Sequence, residues 1–258
     1  MTNMHDQILS DGQPINKDTV VTRVFARRWL LDMFKTKKLA LRAPHKWDDP
    51  FENFLMKCTA TVMGEPNVPL AGVIKNFYGQ CWSLSQETDA TWRIYAPAKD
   101  GVRVQTTVGR LLASIYDPHD PFRHFSYYMG SVKYMEEKEL KAFFEDPSNA
   151  SDLILDQTGV GQSRHLFVKR MEFEHEKEVR LLYQYNKEND SNQRPEEMRY
   201  FDIDPGALFD EVLIDPRMNI HDVTLLTKEL RGFGYTKPIN QSPLYQLPNL
   251  NLTINSPS

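Results

Sequence analysis

One segment constrains this chain more than any other: Phe173-Glu174-His175-Glu176-Lys177-Glu178-Val179-Arg180-Leu181-Leu182-Tyr183. Read as a strand, it alternates faces, so Glu176, Glu178 and Arg180 project to one side while Val179 and Leu181 enter a core. Two carboxylates and a guanidinium on one face of a core strand are costly to desolvate. Such a face is either a satisfied ion network or a site that stabilises a developing positive charge. The residue types leave both open. Arg180 can pair with either glutamate, at little net energy if the pair is exposed, and Glu, Lys, Arg and Leu also suit a helix.

The rest of the chain is ordinary in ways that exclude several classes. With 258 residues, 40% hydrophobic and 26% charged, it has the make-up of a soluble globular protein with one large core or two small ones. A net charge of −4 gives no global attraction to nucleic acid. Arg23, Arg27, Arg28, Lys35, Lys37, Lys38 and Arg42 nevertheless make the N-terminal part basic. No apolar run approaches the roughly 20 residues needed to cross a bilayer. The first residues lack the basic-then-apolar pattern of a signal peptide. Cys58 and Cys81 form neither a disulfide framework nor a CxxC pair, so a reduced, cytoplasmic setting is expected.

Strands are expected at residues 19–25, 39–41, 78–84, 101–106, 125–129, 130–134, 198–203 and 209–214. Helices are expected at 28–34, 90–95 (capped by Asp89), 108–113 and 221–231, with a mostly helical stretch over 135–173. Trp47-Asp48-Asp49-Pro50-Phe51-Glu52 reads as an N-capped helix start, or as a place where Asp49 or Glu52 lines a cleft. Strands and helices mix without regular βαβ alternation. The expected organisation is a polar lead-in over 1–17, one α+β domain over 18–235, and a Pro/Asn-rich tail over 236–258. That tail is either disordered or laid along another surface.

Familiar chemistries are missing from the motifs. There is no G-x-G-x-x-G, no P-loop, no zinc-like Cys/His spacing and no G-x-S-x-G elbow. No metal ligand set is assigned. A metal-dependent nuclease would have to draw on Asp48, Asp49 and Glu52 together with Glu176 and Glu178.

A longer order of blocks does stand out. It runs Arg23-Val24-Phe25, Trp29 to Phe34, Leu39-Ala40-Leu41, Trp47 to Asn53, Tyr78 to Ser83, Trp92-Arg93-Ile94-Tyr95, Gly101 to Val104 and Glu176 to Arg180. This order resembles a widespread bacterial family classed as a domain of unknown function. It is in turn similar to ADP-ribosyltransferases, which place an Arg or His on a first strand, a Ser or Tyr on a middle strand and a catalytic Glu, often in E-x-E, on a late strand. The resemblance implies an α+β fold of split mixed and antiparallel sheets with flanking helices. It implies NAD as substrate and transfer to a macromolecule, whether RNA, DNA or protein.

Residue by residue, the resemblance implies Glu178 as the carboxylate that stabilises an oxocarbenium-like centre. Glu176 would orient the acceptor or take its proton. Arg23 would hold the pyrophosphate and Ser83 would fix the ribose or the nicotinamide-side geometry, with Trp92 and Tyr95 walling the nicotinamide pocket. The middle strand carries Cys81-Trp82-Ser83 where that class has Ser-Thr-Ser. Bacterial transferases of this type are often toxins held by an antitoxin, or anti-phage effectors, and the tail from Thr236 is long enough to dock a restraining antitoxin or chaperone. A nuclease and a non-enzymatic sensor or partner-binding module stay as alternatives.

Overall fold

The structure is a computed structural model that describes residues 15–47, 58–62, 64–70, 76–156, 158–185, 197–249 and 251. The expected helix at 48–53, with Asp48, Asp49 and Glu52, lies outside the described residues.

Two runs of short elements open the chain. Strand β1 (Val20–Ala26), helix α1 (Arg27–Thr36) and strand β2 (Lys38–Arg42) come first, then a separate hairpin of β3 (Thr59–Val62) and β4 (Glu65–Pro69). Next come β5 (Phe77–Ser83), α2 (Asp89–Tyr95), β6 (Gly101–Thr107), α3 (Val108–Ala113), α4 (Arg123–Ser126) and β7 (Tyr127–Ser131). A second sheet pair, β8 (Lys133–Met135) with β9 (Val168–Arg170), brackets helices α5 (Glu137–Glu145), α6 (Pro147–Leu155) and α7 (Val160–His165). The chain continues through β10 (Glu178–Gln184), β11 (Met198–Asp202), α8 (Pro205–Leu208), β12 (Glu211–Ile214), α9 (Ile220–Gly232) and β13 (Ile239–Gln241).

The fold is α+β, with a main sheet in the order β11-β2-β5-β1-β6-β12-β13 and β10 joining β5 to β7 off that path. Alternation in β1 and β10 buries Val21, Val179 and Leu181 in the main core with Val104 and Leu41. Helix α1 seals one side because Leu30, Met33 and Phe34 recur at helical spacing and all turn inward. β1 and β6 pair along their whole length, from Val20↔Thr107 to Ala26↔Gly101. By contrast, β1 and β5 register only at Thr22↔Ser83. Beyond that point the two halves of the sheet part, and α2 packs beside the opening.

Three expectations meet the structure here, and the cap of α2 is the one it corrects. Residues 135–173 are mostly helical, as expected, through α5, α6 and α7, and close with the strand Val168–Arg170 and the start of the 3-10 turn Met171–Glu176. The cap of α2 is Thr88, whose hydroxyl accepts from the Thr91 N–H at 3.2 Å, while Asp89 sits in the first turn paired with Arg93. The described part of the tail is laid along the rest of the protein, one of the two expected alternatives: β13 pairs in parallel with β12, and the Tyr245 hydroxyl donates to Asp89 on α2.

Candidate active site

Where the sheet parts, a cleft of about 490 Å³ is lined by Arg23, Ser83, Trp92, Tyr95, Glu176 and Glu178 among others. All six residues singled out in the sequence therefore reach one concave surface, from four separate stretches of chain.

Glu178 begins β10 and is 4% exposed. Arg180, two residues on and 1% exposed, grips it with both edges of the guanidinium: Nε donates to Oε1 at 2.8 Å and an Nη to Oε2 at 3.0 Å. The i, i+2 relation on a strand makes that grip possible. Arg180 is itself fixed by donating to the Leu166 carbonyl at 2.5 Å and by stacking over Trp47 at 4.7 Å. Lys169 Nζ donates to Glu178 Oε2 at 3.2 Å, and the Cys81 thiol bonds the same carboxylate. Burial alone would raise the Glu178 pKa. Arg180, Lys169 and the Cys81 hydrogen bond outweigh it and bring the carboxyl from 4.5 down to about 2.

Glu176 does not share the strand with Glu178, which corrects the reading of one continuous face. It ends the 3-10 turn, and Lys177 then adopts a left-handed conformation with φ 42° that redirects the chain into β10. Few side chains adopt this conformation without cost. The two carboxylates still converge, because Lys169 Nζ also donates to Glu176 Oε2 at 2.6 Å. The other oxygen, Oε1, accepts from the Tyr95 hydroxyl at 2.8 Å. Partial burial and the Glu176 charge raise the Tyr95 pKa well above the ordinary range, so it stays a donor.

Ser83 points its hydroxyl into the backbone. Its Oγ donates to the Glu176 carbonyl at 2.5 Å and accepts from the Ser85 N–H at 2.9 Å. It pins the turn that carries Glu176. Trp92 is 1% exposed and packs with Ala96 and Leu213, while its indole N–H donates to Glu87 at 2.6 Å.

Arg23 is half-buried beside the Phe25 ring at 5.7 Å. Arg103 on β6, also half-buried, lines the same cleft. Among the described residues neither guanidinium is held by a hydrogen bond or ion pair. Burial lowers the pKa of each; for Arg103 it does so against the charges of Glu87 and Glu211, which act to raise it.

Lys169 and Arg103 are the functional candidates that reading the sequence missed. Arg103 had a signal, an arginine at a polar position of the alternating segment 101–106. Lys169 had none, because its stretch reads as helical. Among the described residues, no group of three or more His, Cys, Asp and Glu could hold a metal ion.

Comparison with known proteins follows the same stretch of chain. Residues 91–181 match the family model described as Protein of unknown function (DUF2971). The matched span runs from α2 to the middle of β10 and includes Lys169, Glu176 and Glu178. No curated protein matches the chain. Similar solved structures include DarT of Thermus sp. 2.9 in complex with ADP-ribosylated ssDNA, at 9% identity and TM-score 0.40, covering 89% of this chain and 96% of that one. The same protein in complex with NAD+ aligns at 10% identity and TM-score 0.38, over 88% and 96% of the two chains. No helix among the described residues is long and apolar enough to cross a membrane.

Proposed function

We propose that this protein is an ADP-ribosyltransferase that uses NAD as substrate and modifies a macromolecule, acting in bacteria as a toxin or anti-phage effector. The observation that carries the reading is a buried, ionised Glu178 on the wall of a cleft also lined by Arg23 and Arg103, two guanidiniums that no hydrogen bond or ion pair holds among the described residues. The cleft volume falls within the range of about 300–1,000 Å³ typical of small-molecule sites. Its donor set suits a dinucleotide: two cations for the pyrophosphate and a fixed negative charge for a ribose that becomes positive.

Each residue has a task in this scheme. Arg23 and Arg103 hold the pyrophosphate by charge-assisted hydrogen bonds. Glu178, kept ionised at neutral pH, stabilises positive charge at the anomeric carbon as the bond to nicotinamide breaks and its electron pair leaves with nicotinamide. Glu176 takes the proton from the acceptor's O–H or N–H as that atom bonds to the anomeric carbon. The balance is NAD plus acceptor giving ADP-ribosylated acceptor, nicotinamide and one proton. A carboxylate offers about four acceptor sites, and Arg180, Lys169 and Cys81 fill them all on Glu178. The thiol is the weakest donor, so it is the partner a ribose hydroxyl displaces.

A second reading has its own observation. Lys169 and Arg180 balance Glu176 and Glu178 charge for charge, as in a satisfied ion network, and this supports a non-enzymatic sensor. Calorimetric titration separates the two. The transferase reading expects NAD and ADP-ribose both to bind, with Arg23→Ala and Arg103→Ala each losing roughly 1.5–3 kcal/mol. Absence of binding by either compound to the wild-type protein would leave only the network.

A further inference from the structure

We propose that a second groove beside the cleft receives the acceptor as single-stranded nucleic acid, with a base stacked on Trp29 and a phosphate held by Arg28. The role of acceptor site rests on the transferase reading; the binding itself does not. The groove, about 420 Å³, is lined by Arg23, Phe25, Arg28, Trp29 and Asp100, with the small residues Ala96, Pro97 and Ala98 opposite. It shares Arg23, Val24 and Tyr95 with the cleft, so the two are continuous.

Trp29 is the unusual residue here. Helix α1 buries Leu30, Met33 and Phe34 and leaves Trp29 outside, 55% exposed. The Arg28 guanidinium lies 4.9 Å from the centre of its ring. An exposed indole flanked by a cation is the usual platform for an unpaired base, which offers a π-face whatever its sequence. Arg28 has no ion pair among the described residues. With Arg23 it outnumbers Asp100, so the groove favours a polyanion over an acidic peptide that lacks flat rings.

The join between groove and cleft fits the assignment. Tyr95 stands at that join and donates to Glu176 at 2.8 Å. A group entering from the groove therefore passes the residue that holds the acid assigned to remove the acceptor's proton. A duplex keeps its bases stacked and cannot offer one to Trp29, so single strands are the expected occupant.

The test uses the full chain and fluorescently labelled single-stranded DNA and RNA of about 12 nucleotides, followed by polarisation. Trp29→Ala is expected to weaken binding at least about tenfold, Trp29→Phe to restore most of it, and Arg28→Ala to lower the dependence on salt. A duplex of the same sequence should bind more weakly than the single strand. NAD titration of the same variants should match the wild type. Equal oligonucleotide binding by wild type and Trp29→Ala, or a preference for duplex or for a protein acceptor, overturns the groove assignment. If oligonucleotides bind through Trp29 but NAD does not bind at all, the transferase reading fails and the groove stands.

Discussion

Glu178→Gln is the substitution that catalytic reasoning suggests, and the structure gives it a large folding cost. The carboxylate is 4% exposed and accepts from Arg180 Nε, an Arg180 Nη and Lys169 Nζ. A glutamine offers one acceptor oxygen in place of two and turns an amide donor toward donors that are already there. Arg180, 1% exposed, then keeps its charge without its counter-ion. Breaking a buried pair in this way costs about 3–5 kcal/mol. At about 2–4 °C per kcal/mol for a chain of this size, the melting temperature should drop by roughly 6–20 °C. The sign with pH also follows. A depressed carboxyl stabilises fully above its unfolded value near 4.5 and loses that contribution as pH falls toward about 2. Urea denaturation of wild type and variant from pH 7 to pH 2 should show the gap closing across that window. The double variant Glu178→Gln, Arg180→Met should recover much of the loss, since neutral residues of similar size replace the pair. A Glu178→Gln protein within about 0.5 kcal/mol of wild type at pH 7 would refute the buried pair. Loss of activity in this variant alone is therefore weak evidence for catalysis; Glu178→Asp, which keeps the charge and retracts it, is the cleaner probe.

Other substitutions probe the frame of the cleft. A Cβ at Gly101 would lie 2.4 Å from the Ala96 Cβ and 3.2 Å from the Trp92 ring, so Gly101→Ala should cost about 1–3 kcal/mol in urea denaturation. By pushing α2 and Tyr95 outward, it should also weaken NAD binding by calorimetry. Cys81→Ser puts a stronger donor on Glu178 and should cost NAD about 1 kcal/mol of affinity, whereas Cys81→Ala should bind NAD at least as well as wild type. Deleting residues 240–258 removes most of β13, the Gln241 side chain that donates to the Met218 carbonyl at 2.8 Å, and Tyr245. It should destabilise by about 2 kcal/mol or more, measurable as a lower urea midpoint.

Local pattern made much of this molecule legible. Alternation exposed β1, β6 and the Val179-Arg180-Leu181 part of β10, and helical spacing exposed α1 and α9. The Glu178–Arg180 pair follows from an i, i+2 relation that any strand reading provides. What stayed hidden depends on distant partners or on rare backbone. Lys177 in a left-handed conformation breaks the E-x-E segment in two, and lysine gives no sign of it. Lys169 joins the site because β9 pairs in parallel with β8, more than thirty residues back in sequence (Met135↔Arg170). The parting of the sheet rests on Thr22↔Ser83, a meeting between segments 61 residues apart that no periodicity reveals. The sequence shows that Ser83 carries a hydroxyl but not that this hydroxyl fastens the turn before β10.

The central claim is that this cleft breaks the nicotinamide bond of NAD and passes ADP-ribose to an acceptor. The direct measurement is to incubate the pure protein with NAD labelled in the adenylate and, in parallel, in the nicotinamide, together with single-stranded DNA or RNA and EDTA. The account predicts free nicotinamide and adenylate label on the nucleic acid in equal amounts, with both falling at least about a hundredfold in Glu178→Asp. NAD left intact by the wild-type protein with every acceptor, or strand cleavage that EDTA abolishes and that leaves no label, would contradict it.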